Sequence, residues 1–378
     1  MLIYQIAVLL SLLAFFAILL RNLIDLRLMP SNPACTGPLV SVLVPARNEA
    51  LNIERCVRSL LMQDYAAFEI LVLDDGSTDA TPQLLQTLFD ESGGRLRVLQ
   101  GEPLPDGWHG KAWACLQLSR QAKGDLLLFT DADTKHEPDA LRRSVAALNS
   151  EKGDMLSLTP RQELGSFWEE LVVPLVYVIL LCYLPLRLVR TSRNPAFCFA
   201  NGQFILFRRE FYDRINGHTA VRQALAEDIG LCREVKRAGG RVVAFNGFDA
   251  VSCRMYRSFR DIWEGFSKNL YASLGYSTPG LFLLMTLTAA FYIAPYLFFF
   301  YALIAGKFTM LLFWLPLTQM VIALLSRVII ARLFGQSTAM VFLNLFSQLI
   351  LIAIAWNSFW IIQSGRGARW KGRNYNFS

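Results

Sequence analysis

Four stretches of the chain, Leu2–Leu20, Leu281–Ala305, Met310–Ile330 and Ala339–Ile362, stay apolar long enough to cross a bilayer. A membrane-spanning helix takes about 20 such residues. The first has no basic residue before it and no small-residue cleavage site after it, so it reads as an uncleaved anchor. Arg21 and Arg27 follow it and assign the downstream side to the cytosol. A fifth apolar stretch, Leu171–Leu188, carries Pro174 and Pro185, follows Glu169 and Glu170, and ends among Arg187 and Arg190. Were it a span, the acidic motifs on its two sides would face opposite compartments. It is expected to lie along the membrane surface as an interfacial helix; a buried core helix is the alternative.

Between the first and second spans the pattern changes to short apolar runs alternating with helical periodicity, the mark of an α/β domain on a mostly parallel sheet. Strands are predicted at Leu39–Val44, Glu69–Leu73, Leu96–Leu99, Asp125–Thr130, Met155–Leu158 and Val242–Phe245. Apolar residues three or four apart predict helices around Ile53, Val57, Leu60 and Leu61, and around Leu84, Leu85 and Leu88. The expected organisation is an anchor at 1–22, the α/β domain at 38–275 with the interfacial helix near 171–188, three spans at 279–363, and a basic tail at 364–378.

Composition supports this division. Of 378 residues 54% are hydrophobic and only 18% charged, against about 25% charged in an average soluble domain. The formal charge of +7 suggests nucleic acid until it is located. No Asp or Glu follows Glu264, whereas Lys268, Lys307, Arg327, Arg332, Arg366, Arg369, Lys371 and Arg373 do. Residues 1–264 therefore hold 29 basic and 30 acidic side chains. The excess flanks the apolar spans, where it sets topology and meets anionic lipid, and no nucleic-acid partner is needed. Arg327 is the one charge candidate inside a span and reads as a snorkelling arginine. Three spans after a cytosolic domain leave the C-terminus outside, whereas the tail's charge favours inside; the two signals conflict. The seven cysteines are scattered without a CxxC and the three histidines form no HExxH, so neither a disulfide framework nor a zinc site is expected.

In open α/β sheets ligands sit beyond the carboxyl ends of the strands, and polar motifs fall there. The first strand leads into Pro45-Ala46-Arg47-Asn48-Glu49 and the second into Asp74-Asp75-Gly76-Ser77. Two carboxylates followed by Gly and Ser suit the base and ribose of a nucleotide; they equally suit a turn capped by Ser77, Thr78 or Asp79. Asp131-Ala132-Asp133 closes the fourth strand. Carboxylates two apart at a strand end can share one Mg²⁺ or Mn²⁺, the alternative being an acidic solvent loop. Gly107-Trp108-His109-Gly110-Lys111 opens the preceding helix, offering free N–H groups and a lysine for a diphosphate or sugar, or simply a glycine turn. Glu227-Asp228 precedes the helical run Ile229–Ala238: either a general base or carboxylates favoured by the helix dipole.

In this order the motifs resemble membrane-bound family 2 glycosyltransferases with a GT-A fold, over about residues 38–275. The branch acting on carotenoids and related polyisoprenoid lipids is the most similar, with hopanoid-associated and ceramide glycosyltransferases as neighbours. Gly107–Ala114, Phe199-Ala200-Asn201-Gly202-Gln203, Gly217-His218, Glu227-Asp228, Arg254-Met255-Tyr256 and Trp370–Tyr375 carry the likeness.

The resemblance implies that Pro45, Ala46, Glu49, Asp75, Lys111 and Asp131 bind a nucleotide sugar, a UDP-hexose such as UDP-glucose. Asp131 and Asp133 would hold Mg²⁺ or Mn²⁺, and Asp228 would be the catalytic base. Gly202, Gln203, Glu227, Arg254 and Arg257 would face the acceptor. The expected activity is inverting transfer of a hexose to a lipid acceptor by a multi-pass protein of the cell (inner) membrane with its catalytic domain in the cytosol. Polysaccharide synthases of this family end Arg-Trp where this chain has Arg257-Ser258, which favours single transfer over processive synthesis. The other readings are a catalytically silent nucleotide- or lipid-binding scaffold, a transporter, and a glycosidase, which would have no use for a nucleotide pocket.

Overall fold

The computed structural model describes residues 1–31, 36–364, 368–370 and 373–375. Each short apolar run becomes a strand: β1 (Val40–Ala46), β2 (Phe68–Asp74), β3 (Leu96–Gln100), β4 (Leu126–Phe129), β6 (Met155–Gln162) and β8 (Val242–Cys253). Two further strands lie outside the expected set: β5 (Thr134–His136), which has no such run, and β7 (Ile205–Arg208), which has one. All eight form one sheet in the order β3-β2-β1-β4-β7-β6-β8-β5. β3, β2, β1 and β4 are mutually parallel, as are β6 and β8. β7 runs antiparallel between β4 and β6, and β5 antiparallel on β8. The sheet is thus mixed, with its parallel half at the end carrying β1 to β4. Strands buried on both faces need continuous apolar runs, and Val40, Val42, Val44, Val72, Leu126, Leu128, Leu156 and Leu158 supply them to the core.

Residue contacts divide the chain into two units. One comprises Leu26–Glu163 and Leu186–Met255 and contains the sheet; the other comprises Met1–Asp25, Leu164–Pro185 and Tyr256–Ser378. The second is built on four helices long and apolar enough to cross a membrane: Leu2–Asp25, Thr278–Ile304, Met310–Leu333 and Ala339–Gln363. Its polarity is inside out. Leu10, Leu297, Phe300, Phe342, Phe346 and Trp360 are exposed, while Gln5, Asn22, Gln319, Asn344 and Ser347 are buried. Exposed apolar surface on this scale needs a non-aqueous neighbour. Two of these groups pair across helices: Gln319 Nε2 donates to Gln5 Oε1 at 2.9 Å, and Gln5 Nε2 to the Leu311 carbonyl at 3.0 Å.

The Leu171–Leu188 stretch is a broken helix, Phe167–Val172, Leu175–Val178 and Ile179–Tyr183. Leu171, Val172 and Val173 pack on Ile262 and Ile354 inside the apolar unit. The last break, after Tyr183, follows from Pro185, which has no N–H for the Leu181 carbonyl four residues back. Asn22 Nδ2 takes that carbonyl at 2.9 Å and the Leu184 carbonyl at 2.7 Å. After Pro185 the helix Leu186–Thr191 belongs to the sheet unit. Of the tail, Ala368–Trp370 pairs antiparallel with Arg373–Tyr375; Arg366, Lys371 and Gly372, like Cys35, lie outside the described residues.

Candidate active site

The parallel strands deliver two loops side by side beyond their carboxyl ends. Asp75 N–H donates to the Ala46 carbonyl at 2.8 Å, extending the β1–β2 ladder by one rung. Asn48, at φ 52°, then turns the chain. Its N–H donates to Ser77 Oγ at 2.9 Å and its Oδ1 accepts from Thr78 N–H at 2.8 Å. Glu49 N–H reaches Thr81 Oγ1 at 2.8 Å, and Glu49 Oε2 accepts from Asn52 at 3.0 Å. Arg47 Nη1 donates to the Asp75 and Gly76 carbonyls. Of the Asp74–Asp75 pair, Asp74 does the turn work: its Oδ1 accepts from Ser77 N–H at 3.0 Å, across a Gly76 at φ 67°. Asp75 is buried beside it.

A second group meets at the mouth of β4. Lys111, in the first turn of the helix Gly110–Gln121, places Nζ 2.7 Å from Asp131 Oδ1 and 2.7 Å from Glu227 Oε1. Gly202 closes over them. A Cβ on that residue would sit 2.8 Å from Lys111 Nζ, 3.6 Å from Glu227 Oε1 and 3.7 Å from Asp131 Oδ2. Pro45, Lys111, Asp131, Gly202, His218 and Glu227 line one narrow cavity. Asp228 does not line it but adjoins it through Gly202, fixed by main chain: Oδ2 accepts from Gly202 N–H at 3.1 Å and Oδ1 from Ile229 N–H at 2.8 Å.

The charges at this point are set by burial against pairing. Burial alone would neutralise Lys111, but the Asp131 and Glu227 carboxylates hold its pKa well above the ordinary lysine value. Burial likewise works to raise Glu227, and the Lys111 charge outweighs it, keeping that carboxyl below its usual value. Asp228 differs. Burial and the adjacent Glu227 charge push it up to about 6. Of two neighbouring carboxyls, one is locked ionised and the other titrates near neutrality. His218 is driven down to about 3 by burial and is neutral, its Nδ1 2.8 Å from the Tyr212 hydroxyl.

Beneath the Asp131-Ala132-Asp133 turn lies a buried knot absent from the motif reading. Thr130 Oγ1 donates to the Gln203 carbonyl at 2.7 Å and Thr134 Oγ1 to the Asp131 carbonyl at 2.7 Å. Both hydroxyl hydrogens are then used. The 3.1 Å and 3.0 Å contacts from those oxygens to His136 Nε2 must therefore draw on a hydrogen of the imidazole, which fixes the Nε2–H tautomer. Asp133 hydrogen-bonds the Cys253 thiol, whose pKa burial and that carboxylate push up. Cys253 Sγ also accepts from Gln203 Nε2 at 3.1 Å, and Gln203 Oε1 from Gln162 at 2.8 Å. Thr130, Thr134, His136, Gln162 and Cys253 bear no motif of their own; the nearest signal was their position beside the acidic turn and at the ends of β6 and β8.

The structure thus gathers Pro45, Lys111, Asp131, Gly202 and Glu227 about one cavity, with Asp228 adjoining it through Gly202 and Ala46, Glu49 and Asp75 in the loops after β1 and β2. Asp133 and Gln203 are joined through Cys253. Arg254 directly follows β8 in the sheet unit, whereas Arg257 belongs to the apolar unit, where its N–H donates to Asp261 Oδ2 at 3.2 Å. Among the described residues no three His, Cys, Asp or Glu side chains form a metal cage. Asp131 and Asp133 are hard oxygen donors two residues apart, and such a pair suits a cation that completes its shell with phosphate oxygens and water.

Residues 41–215 match the family described as Glycosyl transferase family 2. The 4,4'-diaponeurosporenoate glycosyltransferase of Staphylococcus haemolyticus (strain JCSC1435) is 25% identical over 257 residues, 67% of this chain and 66% of that protein. The Staphylococcus aureus (strain USA300) protein of the same name is 28% identical over 247 residues, 64% of this chain and 63% of its own. The match spans just under two thirds of each relative. A mannosyltransferase from Pyrobaculum calidifontis, solved with GDP-Man and Mn²⁺, superposes with a TM-score of 0.56 over 94% of this chain and 99% of its own, at 20% identity. At that identity the likeness speaks for the fold alone, and it agrees with the mixed sheet described above. Strand order, acidic turn and family match converge on residues 41–215 as a region similar to family 2 glycosyltransferases with a GT-A-like fold, in a chain that also holds four apolar helices of membrane length.

Proposed function

We propose that the chain is an inverting hexosyltransferase that moves one sugar, glucose from UDP-glucose, to a hydrophobic isoprenoid acceptor such as a carotenoid. The observation that carries this reading is the pairing of a locked Lys111–Asp131–Glu227 cluster with a carboxyl at Asp228 that titrates near 6. The nucleotide would lie on the loops after β1 and β2, with Pro45, Ala46, Glu49 and Asp75 against base and ribose. Asp131 and Asp133 would hold Mg²⁺ or Mn²⁺; when bound, such a cation neutralises charge on the diphosphate leaving group. Lys111 keeps its ammonium protonated at the same end of the cavity and adds a second positive charge there. Asp228 is ionised above pH 6 and takes the proton of an acceptor hydroxyl as its oxygen attacks the anomeric carbon opposite the departing diphosphate. A carboxylate acceptor would need no such base. Gly202, Gln203, Glu227, Arg254 and Arg257 are assigned to the acceptor side.

The apolar unit supports a membrane location, and the sheet unit is assigned to the cytosol. Holding an acceptor beside the catalytic sheet supplies proximity, a large share of the barrier when one reactant is dissolved in lipid. The relatives named for carotenoid transfer support the acceptor class, and the absence of the Arg-Trp ending supports single transfer. Mass spectrometry of lipid extracts from cells with and without the protein, after feeding labelled glucose, tests it. One new lipid mass carrying a single hexose is the expected result; a ladder of glycan masses or no new lipid rejects it.

A further inference from the structure

Arg327 does not snorkel. It is 4% exposed, in the apolar unit, on the helix Leu315–Leu333. A guanidinium withdrawn from water costs several kcal/mol unless an anion or a full set of acceptors faces it, and this one has neither. No Asp or Glu follows Glu264 in the sequence. Among the described residues its side chain finds one hydrogen-bond partner, Asn344 Oδ1 at 3.1 Å. Its ionisable neighbours are Tyr292, Tyr296 and Cys182, all protonated at neutral pH and none a counter-charge.

The groups around it repeat the pattern. Asn344 Oδ1 also accepts from Gln348 Nε2 at 3.4 Å, and two converging donors fix the amide with its NH₂ turned the other way. That Nδ2 is turned toward the Tyr296 hydroxyl oxygen without closing to full hydrogen-bond geometry, and the Tyr296 hydroxyl hydrogen finds no acceptor. Asn344 is 1% and Tyr296 7% exposed. The Tyr292 oxygen is already engaged with Tyr183 at 2.6 Å. One buried cation and one phenolic hydrogen, joined through Asn344, are therefore left with no anion to receive them. An acceptor-only group of negative charge is the complement of such a set.

We propose that Arg327, Asn344 and Tyr296 form a binding site for the oxyanion head of an amphiphile, a carboxylate or phosphate at the end of an apolar chain. The apolar part is required by the surroundings: the exposed faces of these helices carry Leu297, Phe300, Leu325 and Phe346, which an inorganic ion could not cover. Arg327 lies six residues from the end of its helix, roughly 9 Å at 1.5 Å per residue. That depth suits a head group drawn just below a membrane surface. The site stands apart from the sugar-transfer reading and does not depend on it.

The test uses the full chain purified in an uncharged detergent, with a spin-labelled stearate as probe and its methyl ester as the neutral match, at alkaline pH. The expected result is an immobilised spectrum for the stearate and none for the ester. Phosphatidic acid should displace the probe, and inorganic phosphate at equal concentration should not. Arg327→Gln should weaken binding at least tenfold, as loss of a charge-assisted hydrogen bond does, and Tyr296→Phe by a few-fold. Should Arg327→Gln fail to fold, judged by size exclusion, Tyr296→Phe and Asn344→Leu decide the matter by the same readout. Equal binding of acid and ester, unchanged binding in the folded variants, or displacement by inorganic phosphate would overturn the proposal.

Discussion

Gly202→Ala is the sharpest probe of the catalytic cluster, because it adds one methyl group and removes nothing. The backbone there is not in the left-handed region, so alanine fits the main chain. Its Cβ would lie 2.8 Å from Lys111 Nζ, and ordinary contact needs at least 3.4 Å, so the ammonium must retreat by about 0.6 Å. It now makes two 2.7 Å bridges. Retreating along the line from Cβ stretches one or both past the 2.7–2.9 Å range where charged hydrogen bonds are strong. Losing most of one such bond is worth about 1–2 kcal/mol, or roughly 5- to 30-fold in kcat/KM. The fold should be untouched, since the methyl meets only the tip of a flexible side chain. Purified variants are assayed by release of UDP from UDP-glucose in the presence of a lipid extract, with melting temperature measured in parallel. Lys111→Ala supplies the control: in that background the methyl has nothing to strike, and Gly202→Ala should add no further loss. Wild-type kcat/KM in the single variant, or an undiminished extra loss in the double, refutes the reasoning.

Asp228→Asn keeps size and one of the two main-chain contacts, its NH₂ being unable to accept the other, so folding should persist at a cost of about 1–3 kcal/mol while turnover to a hydroxyl acceptor falls about 10²- to 10⁴-fold. The rate of the unmodified enzyme should rise as pH increases through about 6, where Asp228 loses its proton, and a pH-independent rate over that window would contradict the assignment. Excess chelator should stop transfer and added Mn²⁺ or Mg²⁺ restore it, with Asp133→Asn inactive but folded; full transfer in chelator disproves the metal reading. His136→Ala should lower stability by about 1–3 kcal/mol by stranding two threonine oxygens, and His136→Gln, with its own N–H donor, by less, as read from denaturant midpoints. Deleting Leu2–Leu20 should leave the protein in the membrane fraction, because three apolar helices remain; a soluble monomer without detergent would reverse that expectation.

Strands β2 and β4 were legible because a strand buried in the sheet interior reads as an apolar run, β1 likewise apart from Ser41, and all three end in the polar residues of the motifs. β5 and β7 escaped for opposite reasons. Thr134–His136 is three residues without an aliphatic side chain, held at the sheet edge by pairing with Val251–Cys253. Ile205–Arg208 looks like the close of the preceding motif and becomes a strand only between β4 and β6. β8 runs on to Cys253, past the Asn246-Gly247 pair that suggests a turn, because β6 follows it across a register shift between Pro160 and Arg161. Within the site, motif spacing named the carboxylates but could not pair Lys111 with Glu227, 116 residues away. The same holds for Arg327: its sequence neighbours are aliphatic, and only tertiary packing shows that its head is turned inward to Asn344.

The tether on Asp228 bears on how such enzymes diversify. Both carboxylate oxygens are held by amide hydrogens, at Gly202 and Ile229, and no side chain but its own takes part. A replacement elsewhere in the pocket can change its shape or polarity without touching either hydrogen; at those two positions only proline would remove one. The position of the Asp228 carboxylate is in this way insulated from drift in the surface around it, while its acidity still answers to Glu227 and Lys111. With Asp228 as the proposed base, a lineage that spares Glu227 and Lys111 would try new acceptors one side chain at a time and keep its chemistry, so selectivity should be open to laboratory evolution while the reaction type is not.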